Sequence, residues 1–276
     1  MEDFENFGRL IEAIRQWLPH IIIVGGWAHR LHRLHPLATI QAYQPLRTRD
    51  VDLAFSPRAP LAGDLRQALM KAGFKEELSG ESTLPVAHYT LGAEELGFYA
   101  EFLTVLQGDG LRRDGQRDLT MSKAGITAQK LRYLDVLLIA PWTVCLEPES
   151  DIQVKRPIDI LVPNPVSFII QKLLIHGKRD AHKKAQDVLY IHDTLQLFAA
   201  SLETLKSVWK NEVRSKMPPR TAKSALSTRR ELFDNMSDVI RNAARIPQDR
   251  TLQPEDIRAA SQYGLEELFS VDDAST

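Results

Sequence analysis

The chain has 276 residues, 43% hydrophobic and 26% charged, with 35 Lys and Arg against 36 Asp and Glu for a formal net charge of -1. That length buries one large core or two modest ones, and the charge balance excludes a global basic field for nucleic acid while leaving local patches open. The single cysteine, Cys145, excludes an internal disulfide framework, and neither a basic-then-apolar leader nor a membrane-length apolar run is present, so a cytoplasmic protein with no membrane partner is expected.

Residues 4–18 place Phe4, Phe7, Leu10, Ile11, Ile14, Trp17 and Leu18 at helical spacing, which predicts an amphipathic helix against the first strand. That strand is the apolar run 21–24, which ends in Gly25 and Gly26. Paired glycines after such a run predict a tight turn with a helix soon after, here 27–34, and they admit a bulky group close to the backbone. Amides at a helix mouth also suit a phosphate. His29, His32 and His35 follow at three-residue spacing; they read either as a metal or phosphate contact or as a basic, partly exposed helix face. A loop around Pro36 to Pro45 leads to RTRDVDLAF, where Asp50 and Asp52 share one strand face and Val51 takes the other. Two carboxylates that close repel unless a cation lies between them, and hard oxygen ligands suit magnesium. Arg47 and Arg49 either touch a nucleotide or form ion pairs with nearby carboxylates.

A strand, Gly-Gly, a helix and then Asp-x-Asp on the next strand resembles the signature of the nucleotidyltransferase superfamily that includes DNA polymerase β. The resemblance implies that Gly25 and Gly26 border a triphosphate. It also implies that Asp50 and Asp52 hold two magnesium ions, with manganese as the alternative, for transfer of a nucleoside monophosphate.

Further along, 61–73 predicts a helix closed by Gly73, and 86–91 and 98–106 predict two strands joined across 92–97. Glu101 lies mid-strand among apolar residues, where an acid is costly without a partner. The superfamily places its third metal carboxylate on such a strand, more often as aspartate, so the resemblance makes Glu101 a metal ligand. A buried salt bridge to Arg47 or Arg49 would leave the same mark. The glycine-rich, charged stretch 107–118 reads as a surface loop that can also close over substrate. Residues 128–138 read as helix and 141–162 as a small β-hairpin leading out of the catalytic unit. Beyond it, Phe168, Ile169, Leu173, Leu174 and Ile175 build a helix whose exposed side offers Lys172, and a second helix after Gly177 carries Arg179, Lys183, Lys184 and Asp187.

This second stretch resembles a bacterial branch of the superfamily that includes the toxin of type IV abortive-infection toxin–antitoxin systems. The resemblance carries that branch's lysine, arginine, lysine and aspartate onto Lys172, Arg179, Lys183 and Asp187, facing an active site. Lys184 stands where an aspartate often follows. A possible cognate antitoxin comes with the same resemblance. Residues 201–216, 221–245 and 254–269 predict three further helices, basic enough to hold RNA yet balanced by acids as in an ordinary bundle.

The expected fold is therefore α/β: a nucleotidyltransferase domain over 1–126 with a small mixed sheet, then a mostly helical domain over 127–276, with the active site between them. The expected activity is ATP- or other nucleoside-triphosphate-dependent nucleotidyl transfer to an RNA or protein hydroxyl. The alternative is a catalytically inactive nucleotide- or partner-binding module of the same fold.

Overall fold

A computed structural model describes residues 2–79, 86–92, 97–111 and 115–273. Residues 93–96 of the connection between the two strands, 112–114 of the charged loop and 274–276 of the tail lie outside the described residues.

The chain packs as two compact units, one of Met1–Leu34 and Arg47–Pro163, the other of His35–Leu46 and Asn164–Thr276. In the first, α1 is Glu2–Ala13, β1 is Ile22–Val24, α2 is Gly25–Leu31 and β2 is Asp50–Phe55. Then come α3 at Leu65–Lys71, β3 at Lys75–Ser79, β4 at Val86–Leu91, β5 at Phe98–Val105, β6 at Thr120–Lys123 and β7 at Ile126–Leu131. The four-residue α4 at Leu134–Leu137 precedes β8 at Trp142–Leu146 and β9 at Ile158–Val162. These strands form one mixed sheet in the order β3-β4-β5-β2-β1-β9-β8, with β7 beside β5 and β6 beside β7.

Period-two alternation divides the sheet into two faces. One carries Ile23, Val51, Leu53, Phe55, Ala100 and Phe102, which pack with Phe7, Leu10 and Ile11 of α1 and Leu65 and Leu69 of α3 in the main core. Trp27 of α2 joins that core, stacked on Phe7 with ring centroids 4.0 Å apart and met edge-on by Phe98 at 6.2 Å. Each such fully buried side chain contributes about 1.5–3 kcal/mol of transfer free energy. On the opposite face Ile22, Val24, Ala54 and Leu103 are covered by Leu134 and Leu137 of α4.

Two expectations are corrected here. Residues 128–138 are not one helix: Ile126 to Leu131 pair with β5 and β6, and Ile126 and Ala128 are buried alternately. Pairing on both edges overrides the helix-forming composition of that stretch. The 142–162 hairpin does not leave the sheet but extends it, since β9 runs parallel to β1. By compactness the chain divides after Pro163.

The second unit is helical: α5 at Pro165–Ile175, α6 at Ala181–Leu197, α7 at Leu202–Val208, α8 at Pro219–Phe233, α9 at Asp238–Ala244 and α10 at Pro254–Asp273. The helix expected over 221–245 is thus two helices, because the Ser237 side chain accepts from the Ile240 amide and starts a new one. The Pro36–Pro45 loop belongs to this unit. Thr39 N donates to Leu197 O at 2.7 Å and Gln44 N to Asp249 at 2.6 Å. Arg250 lies 3.4 Å over the Tyr43 ring while donating to both Asp193 oxygens at 2.6 Å. Among the described residues no helix is long and apolar enough to cross a membrane.

Candidate active site

The helix after β1 starts at Gly25 itself rather than after Gly26. Gly25 has φ +67°, in the left-handed region where a side chain is strained, and a Cβ there would run into the Asp52 carboxylate. The glycine therefore lets Asp52 reach the backbone at the helix mouth. Gly26 continues the first turn of α2.

Strand register assembles the acids. β1 pairs with β2 so that Val24 faces Asp52, and β2 pairs in parallel with β5 so that Asp52 faces Glu101 and Asp50 faces Tyr99. β4 places His88 opposite Glu101, and β3 places Glu77 opposite His88. One transverse row thus reads Glu77, His88, Glu101, Asp52, Val24, all on the sheet face not filled by the main core. Thr48 donates to Asp50 Oδ1. His88 Nε2 lies 3.1 Å from Glu101 Oε1, and the His88 ring stacks on Tyr99 with centroids 5.4 Å apart.

The electrostatics follow from this gathering. Burial and then the Asp50 charge push the Glu101 carboxyl above its usual range. Burial, followed by Asp50, Glu101 and Asp52, pushes the Tyr99 phenol up to about 12. Burial lowers the His88 imidazole, although Glu77 pulls the other way. The net lowering leaves the His88 imidazole neutral at pH 7, with its Nε2 3.1 Å from the Glu101 carboxyl. A face on which ionising one more group is this unfavourable is one that a cation would relieve. Among the described residues no three His, Cys, Asp or Glu side chains already converge on a metal-sized point. The fit lies in the donor chemistry: hard carboxylate oxygens of Asp50, Asp52 and Glu101 on adjacent register positions, as magnesium or manganese requires.

Of the two arginines before the acids, Arg47 pairs with Asp3 at 2.8 Å, and Arg49 begins β2's approach, its carbonyl accepting from Tyr99 N at 3.4 Å. Glu101 takes His88, where an arginine was the other expectation. His29 and His32 are buried in the first unit, where His32 Nε2 meets the Pro163 carbonyl at 2.8 Å. His35 stands edge-on to Phe198 in the second unit, at 6.3 Å.

The second unit holds the remaining expected residues. Lys172 is not on an exposed side: it is 5% exposed, 3.0 Å from Asp187, and lies over the rings of Tyr190 and Phe168 at 4.9 and 5.3 Å. α5 is apolar nearly all round and buried on most faces, so its cation enters the interior with an anion supplied by α6. Arg179 Nε lies 3.5 Å from the other Asp187 oxygen. Lys183 is exposed; its backbone amide is capped by Asp180 at 2.9 Å.

His88, Thr48 and Tyr99 escaped sequence reasoning. The signal for His88 was available, since it interrupts buried Ala87 and Tyr89 mid-strand just as Glu101 interrupts its own apolar strand.

No curated protein and no solved structure gave a significant match. A family model described as nucleotidyltransferase matches residues 5–214, which span β1, Gly25, both aspartates, Glu101 and the Lys172–Asp187 pair. With three quarters of its length matched, the chain belongs to that nucleotidyltransferase family.

Proposed function

We propose that the protein transfers a nucleoside monophosphate from a nucleoside triphosphate to a hydroxyl of an RNA acceptor, releasing pyrophosphate. The observation that carries this reading is the register of Asp50, Asp52 and Glu101 on one sheet face beside Gly25, in a chain of nucleotidyltransferase family. Asp50, Asp52 and Glu101 would hold divalent cations, magnesium or manganese. When bound, such cations lower the pKa of an attacking hydroxyl and offset charge on the triphosphate. In the reaction the acceptor oxygen loses its proton and bonds to the α-phosphorus. The bond from that phosphorus to the β-phosphate oxygen breaks, and its electron pair leaves with pyrophosphate. Positioning and charge stabilisation supply most of the acceleration in chemistry of this class.

The preference for RNA rests on the segment leading into α6 and on its first turn, where Lys178 and Lys183 are exposed and Arg179 and Lys184 half-exposed. Further exposed cations stand at Lys216, Arg220, Lys223, Arg230 and Arg241 of the helical unit. Exposed cations can contact a phosphate backbone even on a protein of near-zero net charge. The toxin-like role implied by the resemblance would be read as growth arrest on expression that needs Asp52.

The test is incubation with each α-labelled nucleoside triphosphate, magnesium and total RNA or protein, with a ribonuclease-treated control. Label on RNA that disappears with ribonuclease, and that falls steeply with salt as counterion release requires, is the expected result. Label retained on a protein band would move the acceptor to a protein hydroxyl. No transfer from any triphosphate would leave the binding-module reading.

A further inference from the structure

Nothing in the Gly-Gly and Asp-x-Asp pattern involves β4, yet β4 supplies the side chain that touches Glu101. We propose that His88 is a positioning residue of the transfer site, fixing the Glu101 carboxylate through an Nε2–H hydrogen bond so that it is presented toward Asp52. This rests on the reading of Asp50, Asp52 and Glu101 as cation ligands.

Three observations converge on it. The first is register: His88 stands directly opposite Glu101, which stands directly opposite Asp52. A bond from the β4 side therefore leaves the β2 side of Glu101 to face the aspartates. The second is that the imidazole is itself held. Its Nε2 lies 3.1 Å from Glu101 Oε1, its ring stacks on Tyr99 at 5.4 Å and 27°, and the two side chains are only 26% and 20% exposed. A ring fixed by a stack and a hydrogen bond has little rotamer freedom left, so it transmits orientation to its partner. The third is that the neighbouring acid is otherwise engaged: Glu77, opposite His88 on β3, accepts from Thr90 Oγ1 at 2.8 Å. A glutamate has one more rotatable bond than an aspartate, and a ligand on a longer stem gains more from a fixed donor. That is a physical reason for a histidine beside Glu101 in this chain.

Outer partners of ligating carboxylates typically change metal affinity about 10–100-fold when removed. The experiment is direct manganese binding to nucleotide-free protein, followed by electron paramagnetic resonance or calorimetry, with thermal unfolding as the fold control. His88→Ala should weaken manganese binding about tenfold without moving the melting temperature by more than a few degrees. His88→Gln, whose amide nitrogen falls near the Nε2 position, should recover most of that loss, whereas His88→Leu, of similar size with no donor, should not. Equal affinity in wild type and His88→Ala, or equal loss in His88→Gln and His88→Leu, would overturn the positioning role while leaving the ligand assignment standing. If His88→Ala fails to fold, the Gln and Leu pair decides alone. Asp52→Asn serves as the reference. Should wild type bind manganese no better than that variant, the ligand reading itself fails and the positioning role goes with it.

Discussion

Half-buried carboxylates on the sheet face of the first unit and fully buried ones in the helical unit meet different partners. On the sheet face of the first unit, Asp50 and Glu101 are met by neutral donors, Thr48 and His88. In the helical unit, Asp187 is met by Lys172 at 3.0 Å and Arg179 at 3.5 Å, and both Asp193 oxygens accept from Arg250 Nη2 at 2.6 Å. The helical unit thus neutralises its acids from within, and its charged residues read first as architecture. On the sheet face acids stand beside acids: burial first, and then Asp50, Glu101 and Asp52, push the Tyr99 phenol up to about 12. An acid with a cationic partner and an acid with an acidic neighbour look alike in a sequence; only the second suggests chemistry.

That contrast can be broken at either end. The largest effect is expected in the helical unit. Asp187→Asn leaves the Lys172 ammonium, 6% exposed in its side chain, beside a neutral amide, and breaking a buried pair in this way costs about 3–5 kcal/mol. Urea denaturation measures it, and Lys172→Met combined with Asp187→Leu should recover most of the loss. Unchanged stability in Asp187→Asn together with weakened nucleotide binding would place Lys172 with the ligand instead, as the resemblance implied. On the sheet face the expectation reverses. Asp52→Asn should lower transfer roughly 100- to 1000-fold, the scale of losing one charge-stabilising group, while stability holds or rises because one repelling charge has gone. Activity within a few-fold of wild type would sink the shared role of the two aspartates.

How much of this was legible beforehand depended on whether a signal was local. β1, β2, β4, β5 and the cap at Gly73 could be read from short-range patterns, as could the same-face pairing of Asp50 and Asp52. The strand Ile126–Leu131 could not, because Ala128, Gln129 and Lys130 favour helix on their own and only pairing with β5 and β6 makes them strand. The burial of Lys172 was hidden for a related reason: its anion is fifteen residues away on another helix. Glu101 and His88 each interrupt an apolar strand, but pairing the two needed the β4–β5 register.

A smaller effect tests the glycine at the helix mouth. Gly25→Ala places a side chain at φ +67° and against the Asp52 carboxylate; a residue in that backbone region costs about 1–2 kcal/mol. Transfer should fall by more than the stability loss explains, since the displaced group is a proposed ligand. A variant that loses stability but keeps full transfer would confine Gly25 to a backbone role.

The smallest expected effect is on the pH dependence of stability, and it runs opposite in sign to that of a salt-bridged acid. Glu101 is held above the ordinary value of 4.5 by burial and by Asp50. The folded state therefore binds its proton more tightly than the unfolded chain does. Between the unfolded and folded values the native state carries the extra proton, so stability falls as pH rises through that window. Above the folded value the penalty of an ionised, half-buried Glu101 is fully present; below the unfolded value it is absent. An acid stabilised by a cation inside the protein would show the reverse, losing stability as pH falls. Glu101→Gln removes the titrating group while keeping its shape, so the variant should gain on wild type at pH 7 and lose that advantage as pH drops toward 4.5. Saturating magnesium should shrink the advantage at pH 7, because a ligand that binds only the folded wild-type site adds stability that the variant forfeits. A Glu101→Gln variant less stable than wild type at pH 7 without magnesium would mean that the His88 contact outweighs the repulsion, and the sheet face would then be as internally settled as the helical unit.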